Sequence, residues 1–258
     1  MTGKQKYNKA FTLVELLTVI SIIAMLLGII LPALGMARGQ AKKVVCSSNL
    51  SQLGLAFSMY LNDYGRKVFP LAQYGRDDSG QIGTFYYFGF EPGSASTLPE
   101  GSRPLFRKYA KLYPYIRQYD SVEICPAFPY GSSKYKPKYN TKWMTYGINS
   151  KLSADLREPG KEIVNLDKYP GGVSDVLIFA DSAQVNNFQF PASPTNPMFE
   201  EWHYVEPLGA LFVHFRHNLK ANILFGDGHT SSAKAEDDSF DRSLPQLNIG
   251  RFGKEIRF

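Results

Sequence analysis

Between Phe11 and Leu34 the chain runs for 24 residues that are apolar except for Thr12, Thr18, Ser21 and one carboxylate, Glu15. As an α-helix this stretch reaches about 36 Å, enough to cross the ~30 Å hydrocarbon core of a bilayer. A lone segment in lipid can satisfy its backbone polar groups only by being helical. A charge at the bilayer centre costs roughly 2.5–3.5 kcal/mol, so Glu15 reads as a functional group with a partner to be found. A secretory signal has a shorter apolar core with a small-residue cleavage site behind it, and no such site directly follows Leu34. A plain membrane anchor needs only the apolar length and leaves Glu15 unexplained.

The run Lys9-Ala10-Phe11-Thr12-Leu13-Val14-Glu15, preceded by Lys4 and Lys6, resembles the start of the type IV prepilins, which include the pseudopilins of type II secretion. The resemblance implies a leader over residues 1–10, cleavage by a prepilin peptidase between Ala10 and Phe11, and N-methylation of Phe11. Ala10 departs from the glycine usual before the cut. It is also small, so the peptidase is expected to accept it, though more slowly. Glu15 becomes the fifth residue of the mature chain, where the resemblance implies that it meets the freed Phe11 amine of a neighbouring subunit. The implied partners are the prepilin peptidase, an inner-membrane assembly machinery, like or related pilin subunits and the membrane itself.

Charge agrees with that arrangement. The formal net charge is +6, and residues 1–10 hold three lysines and no acids, so their removal leaves about +3 on the side chains. That is a weak signal for nucleic acid, which is not an expected partner. Lysines ahead of the apolar segment instead set topology: a single pass through the inner membrane, amino terminus cytoplasmic, everything after Leu34 exported. An exported head meets an oxidising compartment, where Cys46 and Cys125 can pair across a loop of ~80 residues. The alternative is two unrelated buried thiols. Neither has a Cys or His close by in sequence, so no zinc-motif spacing is present.

Residues 11–34 are expected to form the membrane and filament-core half of a helix, and residues 35–64 an amphipathic extension. Cys46, Leu50, Leu53, Phe57, Tyr60 and Tyr64 recur at three- and four-residue steps, one face of a helix. Gly65 can end it in the left-handed conformation, Pro32 predicts a bend, and Gly28, Gly35 and Gly39 permit flexibility or close helix approach. From residue 65 to 258 the composition turns to Gly, Pro, Tyr and Ser with short apolar runs. Pro104–Ile116 predicts a short helix. Val122–Cys125, Met144–Ile148, Val176–Ala180, Leu211–Phe215 and Ala221–Phe225 predict strands, the last two joined as a hairpin and followed by a turn at Gly226-Asp227-Gly228. No βαβ alternation occurs, so the expected fold is α+β: a pilin-like long helix packed on an antiparallel sheet.

A second resemblance rests on His217, nine intervening residues, and Asp227-Gly228, with supporting fragments at Cys46–Gly54, Cys125-Pro126, Tyr146–Asn149 and Phe179–Ser182. Together these are similar to the prepilin-associated H-x9-D-G family. A hairpin would let His217 hydrogen-bond Asp227, and Asp227 could cap its own turn with Gly228 at positive φ. A sharper alternative gathers Asp181, His217, Asp227 and His229 as ligands to zinc or another divalent metal; no other cofactor is expected. Calcium suits two histidines poorly. No catalytic residue is expected: Ser182 follows Asp181 without a nucleophile-elbow pattern, and no nucleotide-binding loop is present. His203 and His214 are expected in ordinary surface and strand-facing roles.

Lys134, Lys136, Lys138, Tyr139, Lys142 and Trp143 interleave cations with rings. Their expected state is a solvated loop whose rings pack locally; the alternative is a surface for an extracellular polymer such as single-stranded nucleic acid or anionic polysaccharide. Phe85–Phe90 and Tyr109–Tyr119 are expected as core and subunit-contact aromatics. The expected function is that of a non-enzymatic, pilin-like filament subunit, with an adhesive or DNA-uptake pilin and a pilin-anchored metal-binding protein as alternatives.

Overall fold

A computed structural model describes residues 12–117, 119–206 and 210–258. Contacts divide the chain into two units, residues 1–41 and 42–258. In the first, helix α1 (Leu13–Asp63) begins, continues past Pro32, and leaves every described side chain up to Ala41 exposed. Leu13 is 83% and Met25 72% exposed, and an 18-residue window reaches a mean hydropathy of 2.7. Unburied apolar surface on this scale is long and greasy enough to cross a membrane.

The second unit is the head, carried by the rest of α1, a short α2 (Tyr119–Val122) and, among the described residues, twelve strands. In chain order these are β1 (Ala72–Arg76), β2 (Ile82–Tyr86), β3 (Gly89–Pro92), β4 (Tyr146–Asn149), β5 (Leu177–Asp181) and β6 (Gln184–Asn186). There follow β7 (Met198–Glu200), β8 (Tyr204–Val205), β9 (Val213–His214), β10 (Lys220–Phe225), β11 (Thr230–Lys234) and β12 (Ile249–Gly250). The central sheet has the order β11-β10-β5-β4-β8, antiparallel except for the β4–β8 pair. Strands β4 and β5 are buried along their whole length, as strands covered on both faces must be. Strand β11 at the edge carries Thr, Ser and Lys, which discourage further pairing.

The buried face of α1 comprises Cys46, Asn49, Leu50, Leu53, Gly54, Ala56, Phe57, Tyr60 and Leu61. All of these but Asn49 and Gly54 share one core with Phe69, Tyr87, Ile148, Phe179 and Leu224, and Phe57 meets Phe69 and Phe179 edge to face at 5.6 and 5.9 Å. Gly54 permits the approach: a Cβ there would lie 2.8 Å from Leu224 Cδ1. Leu177, Phe215, Ala221, Ile223 and Phe252 form a second core. Helix α1 stops as the Gly65 reading anticipates. Gly65 has φ +58°, and the Arg66 N–H reaches back to the Leu61 carbonyl at 2.7 Å, a Schellman closure. The α+β layout of a long helix on a mainly antiparallel sheet is therefore present.

Several local expectations are corrected. Val122–Cys125 is not a strand. Its backbone is occupied by side chains: Asn49 Nδ2 donates to the Ile124 carbonyl at 3.1 Å, and the Cys125 N–H donates to Thr145 Oγ1 at 2.7 Å. Pro104–Ile116 holds two one-turn 3-10 segments, Arg107–Tyr109 and Tyr113–Tyr115, rather than one helix. Strands β9 and β10 do not form a hairpin ladder; β9 pairs with β12, while β10 turns through Gly226–Gly228 to pair with β11. Tyr64 lies 56% exposed, off the buried face.

Candidate functional site

Ala10 and Phe11 lie outside the described residues. Glu15 is described, and it is not bare. Its Oε2 accepts from the Thr12 N–H at 2.9 Å and from Thr12 Oγ1 at 2.7 Å, while Thr12 Oγ1 accepts from the Glu15 N–H at 3.2 Å. This reciprocal capping box satisfies helix donors that have no carbonyl ahead of them. Its Thr-x-x-Glu signature stands in the sequence at Thr12 and Glu15, so Glu15 has a local role besides any partner in the membrane.

Cys46 and Cys125 are joined by a disulfide with Cα atoms 5.1 Å apart, closing 79 residues and fixing α1 to the segment after α2. His217 lies beside it, with Nε2 at 3.5 Å from Cys125 Sγ and at 3.3 Å from Asp181 Oδ2. The Asp181 carboxylate, at the end of β5, is fully buried. Arg216 Nη2 and Nε donate to its Oδ1 at 2.7 and 3.1 Å, and the Asn222 N–H donates to Oδ2 at 2.7 Å. Burial would raise this carboxyl, but Arg216, His217 and the Asn222 amide hold it down at about 2. Arg216 also donates to the carbonyls of Thr145 and Ser182, stitching β5 to the segment leading into β10. Burial and the adjacent Arg216 push the His214 imidazole well below its usual range, so it stays neutral. Sequence reasoning passed over Arg216. The signal was a carboxylate closing the apolar run Leu177–Asp181, which cannot be buried without a cation.

Asp227 and His229 form a second, separate pair. Asp227 Oδ1 accepts from the His229 N–H at 3.0 Å and lies 2.5 Å from His229 Nδ1, and Gly228 sits at φ +88°. This is an Asx-type turn joining β10 to β11. His217 precedes β10 and Asp227 follows it, so about 20 Å of extended chain separates them. The His217–Asp227 hydrogen bond is thus corrected, and so is the four-ligand set. Asp181 and His217 are buried at one end of β10, while Asp227 and His229 have side chains about half exposed at the other.

The cation–aromatic stretch is also corrected. Lys136 is 1% exposed, with Nζ at 2.7 Å from Glu200 Oε2 and 2.9 Å from Glu100 Oε2. Tyr139 is buried and donates to Glu91 at 3.0 Å; Trp143 is fully buried. Lys138 is half-buried over the Tyr139 and Trp143 rings, and burial lowers its ammonium. Lys134 donates to Asn196 Oδ1 at 2.7 Å, and exposed Lys142 lies 4.3 Å from the centroid of Tyr130. These six residues are a fastening of the head more than a face toward solvent.

Residues 5–31 match the family model described as the prokaryotic N-terminal methylation motif. No curated protein and no solved structure matches the chain. Over its apolar amino-terminal segment, then, the chain is similar to the type IV prepilins.

Proposed function

We propose that this chain is a non-enzymatic, pilin-like structural subunit. Prepilin peptidase cuts it between Ala10 and Phe11, and Phe11 is then methylated. The subunit waits in the inner membrane, amino terminus cytoplasmic and head exported, until an assembly machine packs it into a type II secretion pseudopilus or a type IV pilus-like filament. The observation that carries this reading is the methylation motif at residues 5–31 leading into a helix whose apolar side chains stay exposed as far as Leu34. Such a surface needs lipid before assembly and like helices after it. Within this class we group the chain with the H-x9-D-G proteins, because the two ends of that motif bracket β10, an inner strand of the central sheet. The polymer-binding alternative loses support, since Lys136, Tyr139 and Trp143 are inside the head.

Mass spectrometry of the purified chain tests the cut. The expected amino terminus is N-methyl-Phe11; a chain still beginning at Met1, or starting anywhere else, overturns the reading. Glu15→Gln keeps a hydrogen-bonding cap and loses the charge, whereas Glu15→Leu loses both. Both are expected to insert in the membrane, yet to enter filaments less well by roughly tenfold, the effect of losing about 1.4 kcal/mol. Normal incorporation of the two variants would remove the charge-pairing role.

A further inference from the structure

A disulfide needs no imidazole beside it. An apolar side chain would pack against the two sulfurs as well, and would avoid the cost of taking a polar ring out of water. Here His217 is nevertheless buried with one nitrogen facing Cys125 Sγ at 3.5 Å. The ligand atoms of Cys46, Cys125 and His217 all lie within 4.8 Å of one another, and all three residues are buried.

We propose that, once the disulfide is reduced, Cys46, Cys125 and His217 form a site for a thiophilic divalent cation of the zinc class. With Zn–S bonds of about 2.3 Å and Zn–N bonds of about 2.0–2.1 Å, tetrahedral geometry puts sulfur and nitrogen roughly 3.5 Å apart. The Cys125–His217 separation already has that length. Zn–O bonds of about 2.0–2.2 Å put nitrogen and oxygen roughly 3.3–3.5 Å apart, and Asp181 Oδ2 stands 3.3 Å from the same His217 nitrogen. Asp181 lies outside the group of three, so it reaches the fourth position only by shifting toward the sulfurs, with its other oxygen remaining on Arg216. The sulfurs must part to about 3.8 Å, the edge between two thiolates on one zinc, and the Asp181 carboxylate must close on them.

The charges balance in a dry site: two thiolates offset the dication, and Arg216 offsets Asp181. The chemistry balances as well. A dithiol supplies two electrons and two protons and becomes a disulfide (a phosphine becomes its oxide, with oxygen and both protons from water), the sulfur–sulfur bond breaks, and two thiols form. As the two Zn–S bonds form, those thiols release two protons. The head therefore has two alternative closures at one place, covalent when oxidised and metal-bridged when reduced. Because the site is buried, the cation is loaded as the fold closes.

The test uses the full chain, refolded anaerobically in detergent with excess phosphine and one equivalent of Zn²⁺ or Co²⁺, then desalted. Elemental analysis is expected to find about one metal per reduced chain and essentially none per oxidised chain. The cobalt form should show thiolate-to-metal charge transfer and tetrahedral visible bands. His217→Ala should weaken retention by tenfold or more (roughly the scale of losing a metal-site contact). Its oxidised form should melt cooperatively, which shows that the variant folds. Wild type gives a check that needs no variant: bound zinc should slow alkylation of both thiols at least tenfold, by roughly the same scale. Metal-free reduced wild type, thiols alkylated equally fast with and without zinc, or unchanged retention by folded His217→Ala would each overturn the site.

Discussion

Lys136 shows what a single side chain can conceal. Its ammonium is inside the head between Glu100 and Glu200, which lie 36 and 64 residues away in sequence. A buried cation held by two carboxylates is costly to break from one side, because the remaining charges are left without water. Lys136→Met is expected to lose about 3–5 kcal/mol of stability in urea unfolding, whereas Lys142→Met, at an exposed position, should change it by less than about 0.5 kcal/mol. Glu201 is a second test at this scale. Burial raises its carboxyl to about 7, even though the Tyr135 hydroxyl donates to it at 2.9 Å. The folded state thus holds a proton that the unfolded chain gives up near 4.5. The stability this supplies is complete below about pH 4.5 and is lost as pH rises through about 7, up to ~3 kcal/mol in all. Glu201→Gln should flatten that slope, which melting temperature against pH will show. At the residue scale the turn at Asp227-Gly228 was legible, because Asp and Gly carry their own local geometry. Lys136 was not, since alternating cations and rings look the same on a surface as around a buried ion group.

Elements were legible in proportion to how far they stabilise themselves. Helix α1 announced its buried face through Cys46, Leu50, Leu53, Phe57 and Tyr60, and its end through Gly65. Strands β4, β5 and β10 stood out as short apolar runs between turn residues. What failed depended on distant partners. Val122–Cys125 has strand-forming residues, but Asn49 and Thr145 take its backbone groups. Strand β9 finds β12 at the far end of the chain rather than its neighbour β10. The disulfide belongs to this scale, since it joins a helix to a loop that no ladder holds. Closing 79 residues should contribute about 4 kcal/mol on the chain-entropy account. Cys125→Ser is therefore expected to lower the urea midpoint sharply and to steepen the slope, because the unfolded chain loses its cross-link and exposes more surface, and an unchanged midpoint would refute that account.

For the molecule as a whole, the layout of α+β head and apolar helix followed from composition and periodicity, and the amino-terminal motif gave the likeness to prepilins. The pairing of Asp181 with Arg216 and His217 was not legible, because it requires β5 and the entry to β10 to be neighbours in one sheet. Sequence spacing alone cannot report that adjacency.

The link between Cys46 and Cys125 has a mechanical meaning as well. Tension arriving along the chain toward Cys46 divides there. One share continues through the helical backbone, and the other crosses a covalent bond to Cys125, beside the middle of the sheet. Shear that would slide the rest of α1 along its bed must rupture that bond before it can peel Leu50, Leu53 and Phe57 away in turn. A head fastened in this way answers shear along the helix with a covalent bond as well as with packing.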